Sequence, residues 1–238
     1  MEMKTFFLIL IAVVALMLLW DGARFFFLTR KTALIIKSTV PFSRKISTAP
    51  MHILILGDST AVGTGASKPE DSTAGRLASF YPNAEVVNLA ENGMRLAGLN
   101  QILAKTDKTK HFDIVLIQIG ANDIIRLTSM SDIEKGISNV LEYAQSFGGK
   151  VIVLHSGNIG ESKFFPWYIR PLLSERSFEV RTIYQKLAAD HNASYVDLID
   201  APVAQLLRED PARYYASDLL HLSSDGYGLW FEEIKKKL

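Results

Sequence analysis

From Met51 onward, short runs rich in apolar residues alternate with longer stretches in which apolar residues recur every three or four positions. The runs lie at 51–56, 84–90, 113–119 and 150–155, with a weaker one at 194–198. None shows the every-second-residue polar alternation of a strand with one wet face, so they read as strands covered on both sides. The stretches 72–80, 96–105, 131–147 and 174–191 read as helices; in the last, Phe178, Ile183, Leu187 and Ala188 fall near helical spacing. A helix-start signal, Ser223-Ser224-Asp225-Gly226, opens a final helix at 223–238, whose Lys235-Lys236-Lys237 ending suits the negative end of the helix dipole. This alternation predicts an α/β fold: a five-stranded parallel sheet of flavodoxin-like order 2-1-3-4-5, with helices on both faces joined by right-handed crossovers.

The N-terminus follows a different pattern. Residues 5–20 are apolar apart from Thr5, which at ~1.5 Å per residue is about 24 Å of helix. Asp21 and Arg24 interrupt the run one helical turn apart, positioned to pair, and 25–28 is apolar again. A helix through Leu28 reaches roughly 36 Å, enough to cross a bilayer with tilt. A cleaved signal peptide needs small residues at two defined positions, and Trp20-Asp21-Gly22-Ala23 has none in register. The expectation is an uncleaved membrane anchor over 1–28, a basic and apolar linker over 29–50 marked by Pro41 and Pro50, and one α/β domain over 51–238. Residues 25–40 mix Phe, Leu and Ile with basic residues, which suits either an interfacial segment on anionic lipid or a solvated tether. Arg24, Arg30, Lys31, Lys37, Arg44 and Lys45 follow the apolar run and only Lys4 precedes it. By the positive-inside rule the domain then faces the cytoplasm from a bacterial-type inner membrane; long domains can translocate despite such charges, so a periplasmic or extracellular face is the alternative.

Composition narrows the chemistry. At 238 residues the chain accommodates one well-buried α/β domain and an appendage. Charged residues make up 21%, the formal net charge is +1, and no predicted helix face carries a basic run, so no nucleic-acid partner is expected. The absence of cysteine excludes thiol catalysis, disulfides and thiolate metal sites. The five histidines, His52, His111, His155, His191 and His221, form no His-x-x-x-His pair, and neither a metal nor a cofactor is expected.

Four short stretches carry candidate reactive groups: Gly57-Asp58-Ser59-Thr60, Asn92-Gly93, Gly120-Ala121-Asn122-Asp123 and Asp218-Leu219-Leu220-His221. The first three follow strands one, two and three, and in a parallel sheet ligands bind beyond the carboxyl ends of the strands. Ser59 sits in a strand-to-helix turn that can expose its hydroxyl at a helix N-terminus, where amides and the dipole favour negative charge. A serine hydroxyl needs a base and an orienting group, and His221 with Asp218 three residues earlier on a loop can supply both. Asn122 offers a side-chain amide from a strand end, and Gly93 a backbone amide with no side chain in the way. Each stretch alone is also ordinary turn or cap chemistry; their shared placement points to acyl transfer with an oxyanion site. Asp58 and Asp123 are expected to stabilise turns, and His155 to be a hydrogen-bonded core histidine. The aromatic segment at 164–168, within 157–173, is expected near the cleft, where it walls an acyl pocket, dips into a bilayer or packs on the domain.

Together these stretches resemble the four sequence blocks of the SGNH hydrolase superfamily, the GDSL esterases and lipases, over residues 51–238. The resemblance implies a three-layer α/β/α fold without a metal and hydrolysis of carboxylic esters or thioesters through an acyl-enzyme. It implies catalytic Ser59, Asp218 and His221, with Ser59, Gly93 and Asn122 forming the oxyanion hole. Thr60 stands where many members have leucine, and Leu222 where proline is frequent; neither position carries a reacting group. No Gly-x-Ser-x-Gly occurs, which argues against the α/β-hydrolase alternative. With the anchor, the expected substrate is a lipid-like or short acyl ester such as a lysophospholipid. The alternatives are an envelope carbohydrate O-acetylesterase or acyltransferase and, from another class, an inactive binding protein on the same fold.

Overall fold

A computed structural model describes residues 3–107, 109–200 and 202–238; the first two residues of the expected anchor, and positions 108 and 201 of the expected domain, lie outside the described residues. A long helix α1 (Met3–Ser38) precedes strand β1 (Met51–Gly57), a single turn α2 (Ser59–Val62), α3 (Thr73–Phe80) and β2 (Ala84–Asn88). Then come α4 (Leu96–Lys105), β3 (Ile114–Gln118), α5 (Ala121–Ile125), α6 (Met130–Gln145) and β4 (Lys150–Leu154). The chain closes with α7 (Arg170–Asp190), β5 (Ser194–Tyr195), α8 (Pro202–Glu209), α9 (Pro211–Tyr214) and α10 (Ser224–Lys235).

The five strands form one parallel sheet in the order β2-β1-β3-β4-β5, as the apolar runs predict. Period two sends alternate residues to opposite faces. Leu54, Leu56, Val115 and Ile117 face one core with Leu99 of α4, Ile137 of α6 and Val180 of α7. Ile53, Ile55, Ile114 and Leu116 face the other with Leu77 of α3 and Tyr227 and Trp230 of α10. Covering both faces explains why these strands lack polar alternation. The free edge of β2 is capped by the linker: Arg44 forms an antiparallel bridge with Val86, and its guanidinium donates to the carbonyls of Tyr81 and Ala84. Its N–H donors thus blunt a sheet edge.

α1 extends well beyond Leu28. It spans 36 residues, about 54 Å at ~1.5 Å per residue. Basic residues interrupt the apolar character after Leu28 without breaking a helix, since Arg and Lys are good helix formers; the first proline after it is Pro41. The N-terminal half is exposed, and the helix contains an 18-residue window of mean hydropathy 2.5, long and apolar enough to cross a membrane. The second half packs on the domain through one stripe, Asp21, Phe25, Leu28, Thr32 and Ile36. Leu28 is buried, the Phe25 ring meets Phe164 edge-on at 5.1 Å, and Arg24 pairs with Asp21 while donating to the carbonyls of Lys163 and Phe165.

Candidate active site

β1 ends at Gly57, whose φ of +146° and 1.9 Å approach of a notional Cβ to the Gln118 carbonyl oxygen leave room only for glycine. The chain then turns into α2, capped by Asp58, whose Oδ1 accepts from the Thr60 amide and hydroxyl at 2.9 Å each. That cap puts Ser59 first in the helix. Since α2 is one turn long, local amides rather than a summed macrodipole are available to an anion there. Asp58 is wholly buried, and burial raises its carboxyl to about 6 against the opposing hydrogen bonds from Thr60.

The C-terminal loop is folded just as tightly. Tyr215 and Leu222 form an antiparallel bridge, and Leu219, at φ +60°, turns the chain between Asp218 and His221. Asp218 Oδ1 accepts the amides of Leu220 and His221 at 3.0 Å, while Oδ2 lies 2.7 Å from His221 Nδ1. His221 Nε2 lies 3.1 Å from Ser59 Oγ. Burial pushes the Asp218 carboxyl up, but the hydrogen bond and charge of His221 and the two amides outweigh it, holding the group below its ordinary 3.8. Ser59, Asp218 and His221 thus meet across 162 residues of sequence.

Gly93, at φ +76°, sits in the turn after β2, and Asn122 on the first turn of α5 after Gly120, which is itself the cap. Both line one cavity of about 230 Å³ with Ser59 and His221. Ile36, Ile125, Ile159, Leu198, Leu207 and Trp230 supply much of its apolar wall, and Arg126 and Glu161 its charged groups. The turn holding Gly93 is tied to α2 by the Thr64 hydroxyl, which donates to Asn92 Oδ1 at 2.6 Å, and Tyr227 of α10 donates to the Thr64 carbonyl at 2.8 Å.

Asp58 holds its own turn, whereas Asp123 reaches across the sequence to accept the Leu96 amide at the start of α4. His155 differs from expectation. It is 1% exposed, but neither ring nitrogen has a hydrogen-bond partner among the described residues; it stands between the rings of Tyr184 and Tyr195, and burial lowers it to about 4. The aromatic segment divides, with Phe164 and Phe165 buried under α1 and Trp167 and Tyr168 exposed, while Asn158, Ile159, Glu161 and Ser162 line the cavity instead. Two cavity residues, Thr32 and Ile36, come from the segment read as linker. No local pattern marks them, because only tertiary packing brings α1 to the site. Among the described residues no three His, Asp or Glu side chains group to hold a metal.

The GDSL-like lipase/acylhydrolase family model matches residues 55–229. No curated protein matches the sequence. Among solved structures, the chain is similar to a lipolytic G-D-S-L protein from Veillonella parvula, with 20% identity, a TM-score of 0.63, and coverage of 78% of this chain and 97% of that one. An acetyl xylan esterase from Geobacillus stearothermophilus gives 20%, 0.62, 79% and 94% for the same measures. The psychrotrophic esterase EstA from Pseudoalteromonas sp. gives 17%, 0.60, 78% and 95%. These likenesses show the fold, and the family match, which takes in more than half the chain, shows the rest: this protein belongs to the GDSL-like lipase/acylhydrolase family of serine ester hydrolases.

Proposed function

We propose that this protein hydrolyses short-acyl carboxylic esters from a membrane-held position, through Ser59, His221 and Asp218. The observation that carries the reading is the hydrogen-bonded series Asp218–His221–Ser59, at 2.7 and 3.1 Å, opening on a cavity that Gly93 and Asn122 also line. His221 Nε2 takes the proton as Ser59 Oγ attacks the ester carbonyl, and Asp218 steadies the imidazolium. The amides of Ser59 and Gly93 and the Asn122 side chain receive the oxyanion. His221 then returns the proton to the leaving alkoxide, giving the alcohol and a Ser59 acyl ester. Water, deprotonated by His221, adds to that ester, and its collapse releases the acid and restores the serine hydroxyl.

Small-molecule pockets commonly occupy about 300–1,000 Å³; a cavity of about 230 Å³ with a largely apolar wall suits a short acyl group. On a panel of p-nitrophenyl esters from acetate to palmitate, kcat/KM is expected to peak at the short end, and a fluorophosphonate is expected to modify Ser59. A maximum at palmitate sinks the acyl assignment, and a label elsewhere sinks the nucleophile. The likeness to an acetyl xylan esterase favours one second reading, a carbohydrate O-acetylesterase, which acetylated oligosaccharides in the same panel decide. The exposed apolar half of α1 supports membrane anchoring, and the basic residues after it favour a cytoplasmic domain.

Asn122→Ala is expected to lower kcat on the order of 10²- to 10³-fold with KM little changed, because a donor aimed at the oxyanion acts mainly in the transition state. Steady-state kinetics on p-nitrophenyl acetate measure it, and a kcat within a few-fold of the parent removes Asn122 from the oxyanion hole.

A further inference from the structure

Asp218 receives a fourth donor from outside the catalytic loop. Thr32 Oγ1, on α1, donates to Asp218 Oδ2 at 3.0 Å, the oxygen that also faces His221 Nδ1. The neighbouring Lys31 Nζ reaches the Ser217 carbonyl at 3.4 Å, and Ile36, one turn on, stands in the cavity wall beside Thr32. The helix is fixed in this place by the buried Leu28, by the Phe25–Phe164 ring contact and by Arg24 on the carbonyls of Lys163 and Phe165. α1 is thus clamped against the domain where it meets Asp218.

We infer that Thr32 is a positioning residue for the Asp218–His221 pair, so that α1 completes the active site as well as tethering it. The inference rests on the catalytic reading above. Oδ1 is pinned by two backbone amides, which locate one oxygen but leave the carboxylate free to pivot about it. His221 cannot supply the missing restraint alone, because its ring is the group that must be oriented. A hydroxyl from a separately anchored helix fixes Oδ2 independently. It also completes the four hydrogen bonds a buried carboxylate accepts. Without it the imidazole is expected to sample orientations in which Nε2 no longer addresses Ser59 Oγ, and small misplacements of this kind cost rate without weakening substrate binding.

The test compares Thr32→Val, which keeps the shape and removes the hydroxyl, with Thr32→Ser, which keeps the hydroxyl. Thr29→Val serves as control, since among the described residues the Thr29 hydroxyl bonds only the Phe25 carbonyl of its own helix. Full-length proteins in detergent are compared by kcat and KM on p-nitrophenyl acetate and by the rate of fluorophosphonate labelling at Ser59. Thr32→Val is expected to lose about 10-fold in kcat and in labelling rate with KM unchanged. Thr32→Ser should stay within about threefold of the parent, and Thr29→Val should match it. Parental labelling by Thr32→Val, or equal impairment of Thr32→Ser, overturns the inference while leaving the nucleophile assignment standing. Failure of the parent itself to label at Ser59 strikes the catalytic reading instead. Thr32→Ala, carried in parallel, answers the same question should the valine variant not fold.

Discussion

Ser59→Ala is expected to lower kcat on short p-nitrophenyl esters by a factor on the order of 10⁴ or more while leaving the fold intact. Among the described residues the side chain bonds His221 alone, at 3.1 Å, and the α2 cap belongs to Asp58, so removing the hydroxyl leaves the turn's own hydrogen bonds in place. What disappears is the hydroxyl that faces His221, the base of the proposed mechanism, and under that mechanism residual turnover comes from the oxyanion donors and binding acting on water. Thermal melts and stopped-assay kinetics on the purified variant provide the check. Retention of even a tenth of parental activity would assign the nucleophile elsewhere.

A loss of similar size, about 10⁴-fold, is expected for Asp218→Asn, for a reason specific to this loop. The amides of Leu220 and His221 both donate to Oδ1, so the carboxamide oxygen must take that position. The carboxamide nitrogen then occupies the place of Oδ2 and points its hydrogens at His221 Nδ1. An imidazole that accepts at Nδ1 carries its proton on Nε2, the nitrogen facing Ser59, and cannot take another there. The variant should bind substrate with a near-parental KM and turn it over very slowly. A kcat within tenfold of the parent would mean that Asp218 orients nothing.

The sheet was legible because both faces of its central strands are covered, and that leaves unbroken apolar runs whose order follows from crossover rules. β5 is shorter than its apolar run, because Asp197 leaves the strand to pair with Arg181 and to accept the Ile199 amide. α7 begins at Arg170, earlier than its apolar spacing indicates, since Pro171 opens a helix at its first turn. α8 and α9 are short and each begins at a proline, so neither accumulates enough period to be read. At the candidate site, Ser59, Gly93 and Asn122 were legible as residues after consecutive parallel strands, and Asp218 and His221 by their own spacing. Thr32 was not, because its partner lies 186 residues away and its own surroundings read as basic linker. His155 shows the same limit inside the core, where its unbonded ring depends on the neighbouring tyrosines.

Between Met3 and Ser38 the helix has no break, and that continuity makes it a lever rather than a leash. A flexible tether would let the hydrolase domain search a volume set by its contour length. Here a continuous helix carries a tilt or axial turn of residues 3–20 into its second half, where Thr32 and Ile36 line the cavity. Relative to the apolar half, the distance and heading of the pocket are set by helix pitch and by the angular position of one stripe of side chains. An inserted residue between Trp20 and Asp21 would raise the pocket by about 1.5 Å and swing it by roughly 100° relative to the apolar half.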